Sequence, residues 1–148
     1  MQLIVTRPRA QAAGWVRELQ ALGQAASALP LIEITALDDP APVRQAWLGL
    51  GQRALVMFVS ANAVMHFFAA APPRSGWPAG VLAGSTGPGT SAALRSAGVP
   101  SPLLVEPATD AAKFDSEALW DRLAGREWAG RSVLVVRGED GRDWLAET

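Results

Sequence analysis

The sequence predicts an α/β fold with mainly parallel sheets, and three observations carry that prediction. Short apolar runs rich in β-branched residues recur along the chain, each breaks at a turn of small, polar or glycine-containing residues, and each turn leads into apolar positions at helical spacing. The cassette stands at LIVTRPRAQ, LVMFVSANAV, VLAGSTGPGTSAAL and VLVVRGEDGRDWL. Strands alternating with helices require right-handed crossovers, which lay successive strands parallel.

Leu3 to Val5 is apolar at every position and predicts a strand buried between two helix layers. Thr6-Arg7-Pro8 turns the chain. From Ala10 to Leu22 the residues Ala12, Trp15, Val16, Leu19 and Leu22 form the apolar stripe of an amphipathic helix, which Gly23 ends. A second strand is expected over Ala25 to Leu29, stopped by Pro30. Leu31 to Pro42 starts strand-like and ends in turn residues, so it reads as a crossover or linker. A domain boundary is placed within that stretch.

A helix through Val43, Trp47 and Leu50 precedes a strand at Ala54 to Val59 and the turn Ser60-Ala61-Asn62. The next helix carries Val64, Phe67 and Phe68 and ends at Pro72-Pro73. Val81 to Gly84 predicts a strand, Gly87-Pro88-Gly89-Thr90 a turn, and Ala92 to Ala97 a helix closed by Gly98. Leu103 to Val105 is a short strand. Asp115-Ser116 caps a helix through Leu119, Trp120 and Leu123. Ser132 to Val136 predicts another buried strand, after which Arg137 to Arg142 turn into a helix starting near Asp143. The chain stops at Ala146-Glu147-Thr148 inside a helical pattern, which reads as a truncation point.

Composition narrows the function. The chain has 148 residues, 49% of them hydrophobic, with 13 basic and 14 acidic side chains. Such near-neutrality lacks the basic field that drives non-specific nucleic-acid binding. No cysteine is present, so thiolate nucleophiles, disulfides and thiolate metal sites are all out of reach. No apolar run approaches the ~18 residues of a membrane helix, and none resembles a signal peptide. A cytoplasmic protein without nucleic-acid or membrane partners is the expectation.

In an open parallel sheet ligands bind beyond the carboxyl ends of the strands, where helix N-termini present N–H groups and favour anions. The turns at Thr6, Ser60, Gly87 and Arg137 belong there. Ser60 and Thr90 offer hydroxyls or helix caps, Gly87 and Gly89 permit close backbone approach, and Arg7 and Arg137 suit paired hydrogen bonds to carboxylates. Each also has a structural reading: Ser60 and Ser116 as ordinary caps, Gly-Pro-Gly as a simple turn, the arginines as solvated. His66, the only histidine, sits beside Phe67 and Phe68 and lacks the partners of a triad or metal site. Lys113, the only lysine, stands in a loop-like stretch, and the pairs Asp38-Asp39 and Glu139-Asp140 suit solvated loops. The six tryptophans mostly fit helix faces and core packing.

LIVTRPRAQ, LPLIEI, FVSANAV, TGPGTSAALRSAG, FDSEAL and VLVVRGEDGRDWL follow one another in the order and approximate spacing of the uroporphyrinogen-III synthase family, which the chain resembles from Leu3 to Leu145. The resemblance implies two flavodoxin-like α/β lobes joined by a two-stranded connection, with the chain leaving lobe one, building lobe two and returning. The return segment and the family's tyrosine near it have no counterpart here, so residues 1–35 would be only the first part of lobe one and residues 36–148 a lobe two with an incomplete C-terminal end. It also implies a polycarboxylate tetrapyrrole substrate, hydroxymethylbilane, cyclised with inversion of the last pyrrole through a spiro intermediate, and a monomeric full-length enzyme. No cofactor and no metal are implied, and the fragment alone would be inactive.

Carried over motif by motif, the resemblance assigns substrate binding to Ser60, Ala61 and Asn62, to Gly87, Pro88, Gly89 and Thr90, and to Ser116, Arg137 and Gly138, with Arg7 at the edge of lobe one. Where many members have a threonine before the serine of the second turn, this chain has Val59, so one hydroxyl is absent. No residue is assigned as catalytic. The competing reading is a non-catalytic flavodoxin-like module that holds a small anionic ligand at the same strand-end turns, since this fold class hosts many functions.

Overall fold

Leu55 to Phe58 lies at the centre of the molecule's larger sheet because its side chains are apolar on both faces, and all four are buried. A computed structural model of the chain describes residues 1–138. It has the α/β class the sequence predicts, with two parallel sheets flanked by helices. Two units are distinguished, Met1–Leu37 and the chain from Asp38 onward.

In the first unit, strand β1 (Gln2–Val5) pairs in parallel with β2 (Ala25–Ala28), from Gln2 opposite Ala25 to Val5 opposite Ala28. Helix α1 (Arg9–Ala21) connects them, and Gly23 takes the left-handed conformation that ends it, at φ 75°. The expected burial does not hold. Ile4 is 60% exposed, Trp15 and Leu22 are exposed, and only Val5, Ala12 and Ala26 are buried. Two short strands crossed by one helix offer no second layer to cover the other face. Residues 31–37 form no regular element and are exposed throughout, including Leu31, Ile32 and Ile34.

In the second unit, α2 (Ala41–Leu48) and a short 3₁₀ turn lead into β3 (Leu55–Phe58). Then follow α3 (Ala61–Ala69), β4 (Leu82–Ser85), α4 (Pro88–Ser96), β5 (Leu104–Val105), α5 (Ser116–Leu123) and β6 (Val133–Val136). All four strands are parallel in the order β5-β4-β3-β6. The alternation of strand side chains sorts the core into two layers. Val56 and Phe58 face Trp47, Val64, Phe67 and Leu94 from α2, α3 and α4, while Leu55 and Met57 face Leu119 and Leu123 of α5. Trp47 is fixed by stacking on Phe67 at 4.8 Å and by donating its indole N–H to the Phe67 carbonyl at 2.7 Å.

Strand β6 departs from its expected burial. Among the described residues it is the edge neighbour of β3, and Val133 is exposed. Helix α4 also starts earlier than Ala92. Pro88 occupies its first turn, where a missing N–H costs nothing, so Gly87-Pro88-Gly89-Thr90 is the opening of a helix and not a free turn. The expected helix near Asp143 and the pair Glu139-Asp140 lie outside the described residues.

Candidate functional site at the carboxyl edge of the four-stranded sheet

Because β3 to β6 are parallel, their carboxyl ends share one edge, and the strand order makes one point on it special. The chain builds outward from β3 to β4 to β5, then crosses back to place β6 on the other side of β3. Helices α3 and α4 pack on one face of the sheet and α5 on the other, so the reversal between β3 and β6 is where an open parallel sheet is expected to take a ligand. The turns Val59–Asn62 and Arg137–Gly138 flank it, joined by the Val59 N–H donating to the Val136 carbonyl at 3.3 Å.

Ser60 makes the first turn. Its backbone is extended and its Oγ accepts from the Ala63 N–H at 3.1 Å, capping α3, so the structural reading of Ser60 holds. Ala61 and Asn62 form the opening of that helix, half-buried beneath the edge. Arg137 is also half-buried and is engaged with the protein, while Gly138 is exposed.

The second turn is built by two hydroxyl residues that precede Gly87-Pro88-Gly89-Thr90, Ser85 and Thr86. Ser85, fully buried, accepts from the Gly87 N–H at 3.2 Å and from the Ser91 hydroxyl at 2.8 Å, and donates to the Gly87 carbonyl at 2.8 Å. Thr86 Oγ1 donates to the Val59 carbonyl at 3.1 Å and so ties the second turn to the first. Thr90 is buried within the first turn of α4 and does not cap it; Gly87 stands at the cap position. The close approach that Gly87 permits is made by the protein itself, since a Cβ there would lie 3.1 Å from Phe114 Cβ.

The segment from Glu106 to Asp115 returns over the same edge. Asp115, not Ser116, caps α5, its Oδ1 accepting from the Ala118 N–H at 2.9 Å; an aspartate accepts such a bond with full charge and wins the position. Ser116 therefore opens the helix. Between α4 and this segment lies a pocket of about 240 Å³ that Phe114, Gly87, Ser91, Arg95 and Glu106 help to line. Arg95 Nη2 reaches both Glu106 oxygens, at 2.8 and 3.0 Å.

The structure thus brings Ser60, Ala61, Asn62, Gly87, Pro88, Gly89, Thr90, Ser116, Arg137 and Gly138 to one edge of one sheet. Arg7 belongs to the first unit, just beyond β1. There Nη1 donates to Gln11 Oε1 at 3.4 Å and the guanidinium lies 5.1 Å from the centre of the exposed Trp15 ring, a cation–π contact. His66 sits in the last turn of α3 and Lys113 is exposed in the loop before Phe114. Among the described residues no cluster of three or more His, Asp or Glu side chains could hold a metal ion, and no helix is long and apolar enough to cross a membrane. What gathers at the edge is mostly neutral: hydroxyls and the outward N–H groups of helix first turns, a set that suits carboxylates.

Ser85 and Thr86 had a signal in the sequence, two hydroxyl residues directly before Gly-Pro-Gly. Phe114 had none, because nothing local distinguishes a loop aromatic that meets a distant glycine.

Two comparisons relate the chain to known proteins. The family model described as uroporphyrinogen-III synthase HemD matches residues 13–148. A uroporphyrinogen-III synthase of Salmonella typhimurium is 32% identical over 153 aligned residues, which take in the whole of this chain and 58% of the relative. The chain therefore spans less than two thirds of that relative's length.

Proposed function

Since the chain belongs to the uroporphyrinogen-III synthase family, we propose that it serves the cyclisation of hydroxymethylbilane to uroporphyrinogen III, with the carboxyl edge of the four-stranded sheet as the substrate-binding face of one lobe. The observation that carries the reading is the convergence of the family's soft motifs on one edge. FVSANAV, TGPGTSAALRSAG, FDSEAL and the start of VLVVRGEDGRDWL come from distant parts of the chain and meet at adjacent strand ends. Ser60–Asn62, Gly87–Thr90, Ser116 and Arg137–Gly138 would anchor the substrate's carboxylate arms there. Residues 1–37 would contribute to a second lobe, with Arg7 at its edge.

The chemistry asks little of charged side chains. Loss of the terminal hydroxyl as water leaves an electrophilic azafulvene, and the pyrrole nitrogen supplies the electron push. The substituted α-carbon of the last ring attacks that centre to form a spiro intermediate, which fragments and recloses with the ring reversed. The protein's part is to hold the two ends of a flexible chain together, where proximity can lower the barrier by roughly 7–11 kcal/mol, and to assist departure of water by hydrogen bonding. Neutral donors at fixed helix ends do this without a basic patch, in keeping with a net charge of −1. The reading places the enzyme in the cytoplasm as a monomer without cofactor. It further holds that residues 1–148 carry the anchoring edge but not full turnover.

The test is a coupled assay that generates hydroxymethylbilane in the presence of the full-length protein, followed by isomer analysis of the oxidised porphyrins. Isomer III is the expected product. Isomer I alone, formed at the spontaneous rate, would overturn the assignment.

A further inference from the structure

The pocket between α4 and the segment before α5 combines two features, an aromatic wall and a cation at the rim. Phe114 is 48% exposed although it is large and apolar. Single exposed apolar side chains are ordinary. This one is held in place: its Cβ approaches Gly87 so closely that any side chain at 87 would meet it at 3.1 Å. A glycine at the second anchoring turn thus admits the aromatic residue beside that turn.

Across the pocket, Arg95 is oriented by Glu106 through a single nitrogen, Nη2, which is shared between both carboxylate oxygens. The pair does not consume the donors on Nη1 and Nε. Both partners are partly exposed, at 47% and 39%, so the pair is weak enough for another carboxylate to join or displace it. At about 240 Å³ the pocket is smaller than the ~300–1,000 Å³ that encloses a whole drug-sized ligand, which limits it to one ring and its arms.

We propose that this pocket is a subsite for a single pyrrole ring carrying carboxylate arms, with Phe114 as the wall against which the ring lies and Arg95 as the cation that meets an arm. The subsite rests on the function proposed above and assigns one ring of the tetrapyrrole to a place beside the Gly87–Thr90 turn. Phe114 then discriminates a flat ring from a plain carboxylate, a task the neutral donors of the edge cannot perform.

The experiment uses the ¹⁵N-labelled chain and a monopyrrole bearing one acetate and one propionate arm, followed by amide chemical shifts. Unsubstituted pyrrole and glutarate serve as separate controls for the ring and the charge. The subsite predicts saturable shifts at Gly87, Ser91 and Phe114 at lower concentrations of the monopyrrole than of either control. Phe114→Ala should weaken that binding roughly three- to tenfold, whereas Phe114→Trp should retain it. Glutarate binding as tightly as the monopyrrole, or equal affinity in Phe114→Ala, would overturn the ring subsite. Absence of shifts at these residues together with formation of isomer III in the cyclisation assay would sink the subsite alone. Absence of both shifts and isomer III would sink the function and the subsite with it.

Discussion

Ser85 spends its hydroxyl three ways, on the Gly87 N–H, the Gly87 carbonyl and the Ser91 hydroxyl, with no solvent in reach. Removing it strands a main-chain donor and a buried hydroxyl in an enclosed site, and an unsatisfied buried group costs about 1–3 kcal/mol. Ser85→Ala should therefore lose about that much stability in urea unfolding, while Ser91→Ala, which strands fewer groups, should lose less. Equal losses would mean the network does not centre on Ser85. Thr90, by contrast, lies in the first helical turn beside main-chain donors that a mutation leaves in place. Under the proposed function, Thr90→Ala should lower turnover of the full-length protein by less than tenfold; a loss of three orders of magnitude would make its hydroxyl a direct participant. At this scale the sequence is legible where chemistry is local. Ser60 caps its own helix as its position suggests, but Asp115 displaces Ser116 because two competing caps stood side by side. The reach of Arg95 to Glu106 and of Phe114 to Gly87 depends on how a loop folds back, which no short window records.

Gly84 shows how an element is set by a contact made from another. It lies in β4 beneath α5, and a Cβ there would stand 3.1 Å from Leu119 Cδ2 and 3.4 Å from Met57 Cγ. Helix α5 therefore approaches the sheet as closely as it does because that strand position is bare. Gly84→Ala overpacks a layer in which Leu119 and Leu123 have no exposed surface, and should destabilise the chain by about 1–3 kcal/mol. In a Leu119→Ala background the same change should cost less, since the obstructing methyl is gone; an undiminished cost in that double-mutant cycle would show that the strain lies elsewhere. The elements themselves were largely readable, because β3 and β4 are apolar runs with turn residues at fixed ends and α3 to α5 keep helical spacing. Start points were less so. The sequence predicts a start of α4 at Ala92 because Gly-Pro-Gly is also a turn signature, and only the packed structure distinguishes a turn from the first residues of a helix.

The two units differ in what they bury, and that difference predicts how the whole chain behaves. From Asp38 onward, the sheet is covered on both faces and β3 has no exposed side chain. In Met1–Leu37 only Val5, Ala12 and Ala26 are buried, and Ile4, Leu22, Leu29, Leu31 and Ile32 are each more than half exposed. The apolar run Leu3–Val5 and the apolar stripe of α1 mark faces suited to burial, yet periodicity reports which face is apolar and not whether a second layer exists to cover it. A segment of this size falls below the roughly 40 residues at which a single core sustains itself. In native-state hydrogen exchange, the amides of β1 and β2 should therefore exchange through local opening, orders of magnitude faster than those of β3 and β4, whose protection should approach that of global unfolding. Denaturant should leave exchange in β1 and β2 nearly unchanged at low concentration while steadily accelerating it in β3. The exposed apolar side chains should also make the isolated 148-residue chain associate as concentration rises, measurable by sedimentation velocity. Protection of β1 equal to that of β3 in a monomeric chain would show that the first unit draws on stabilisation beyond its own core.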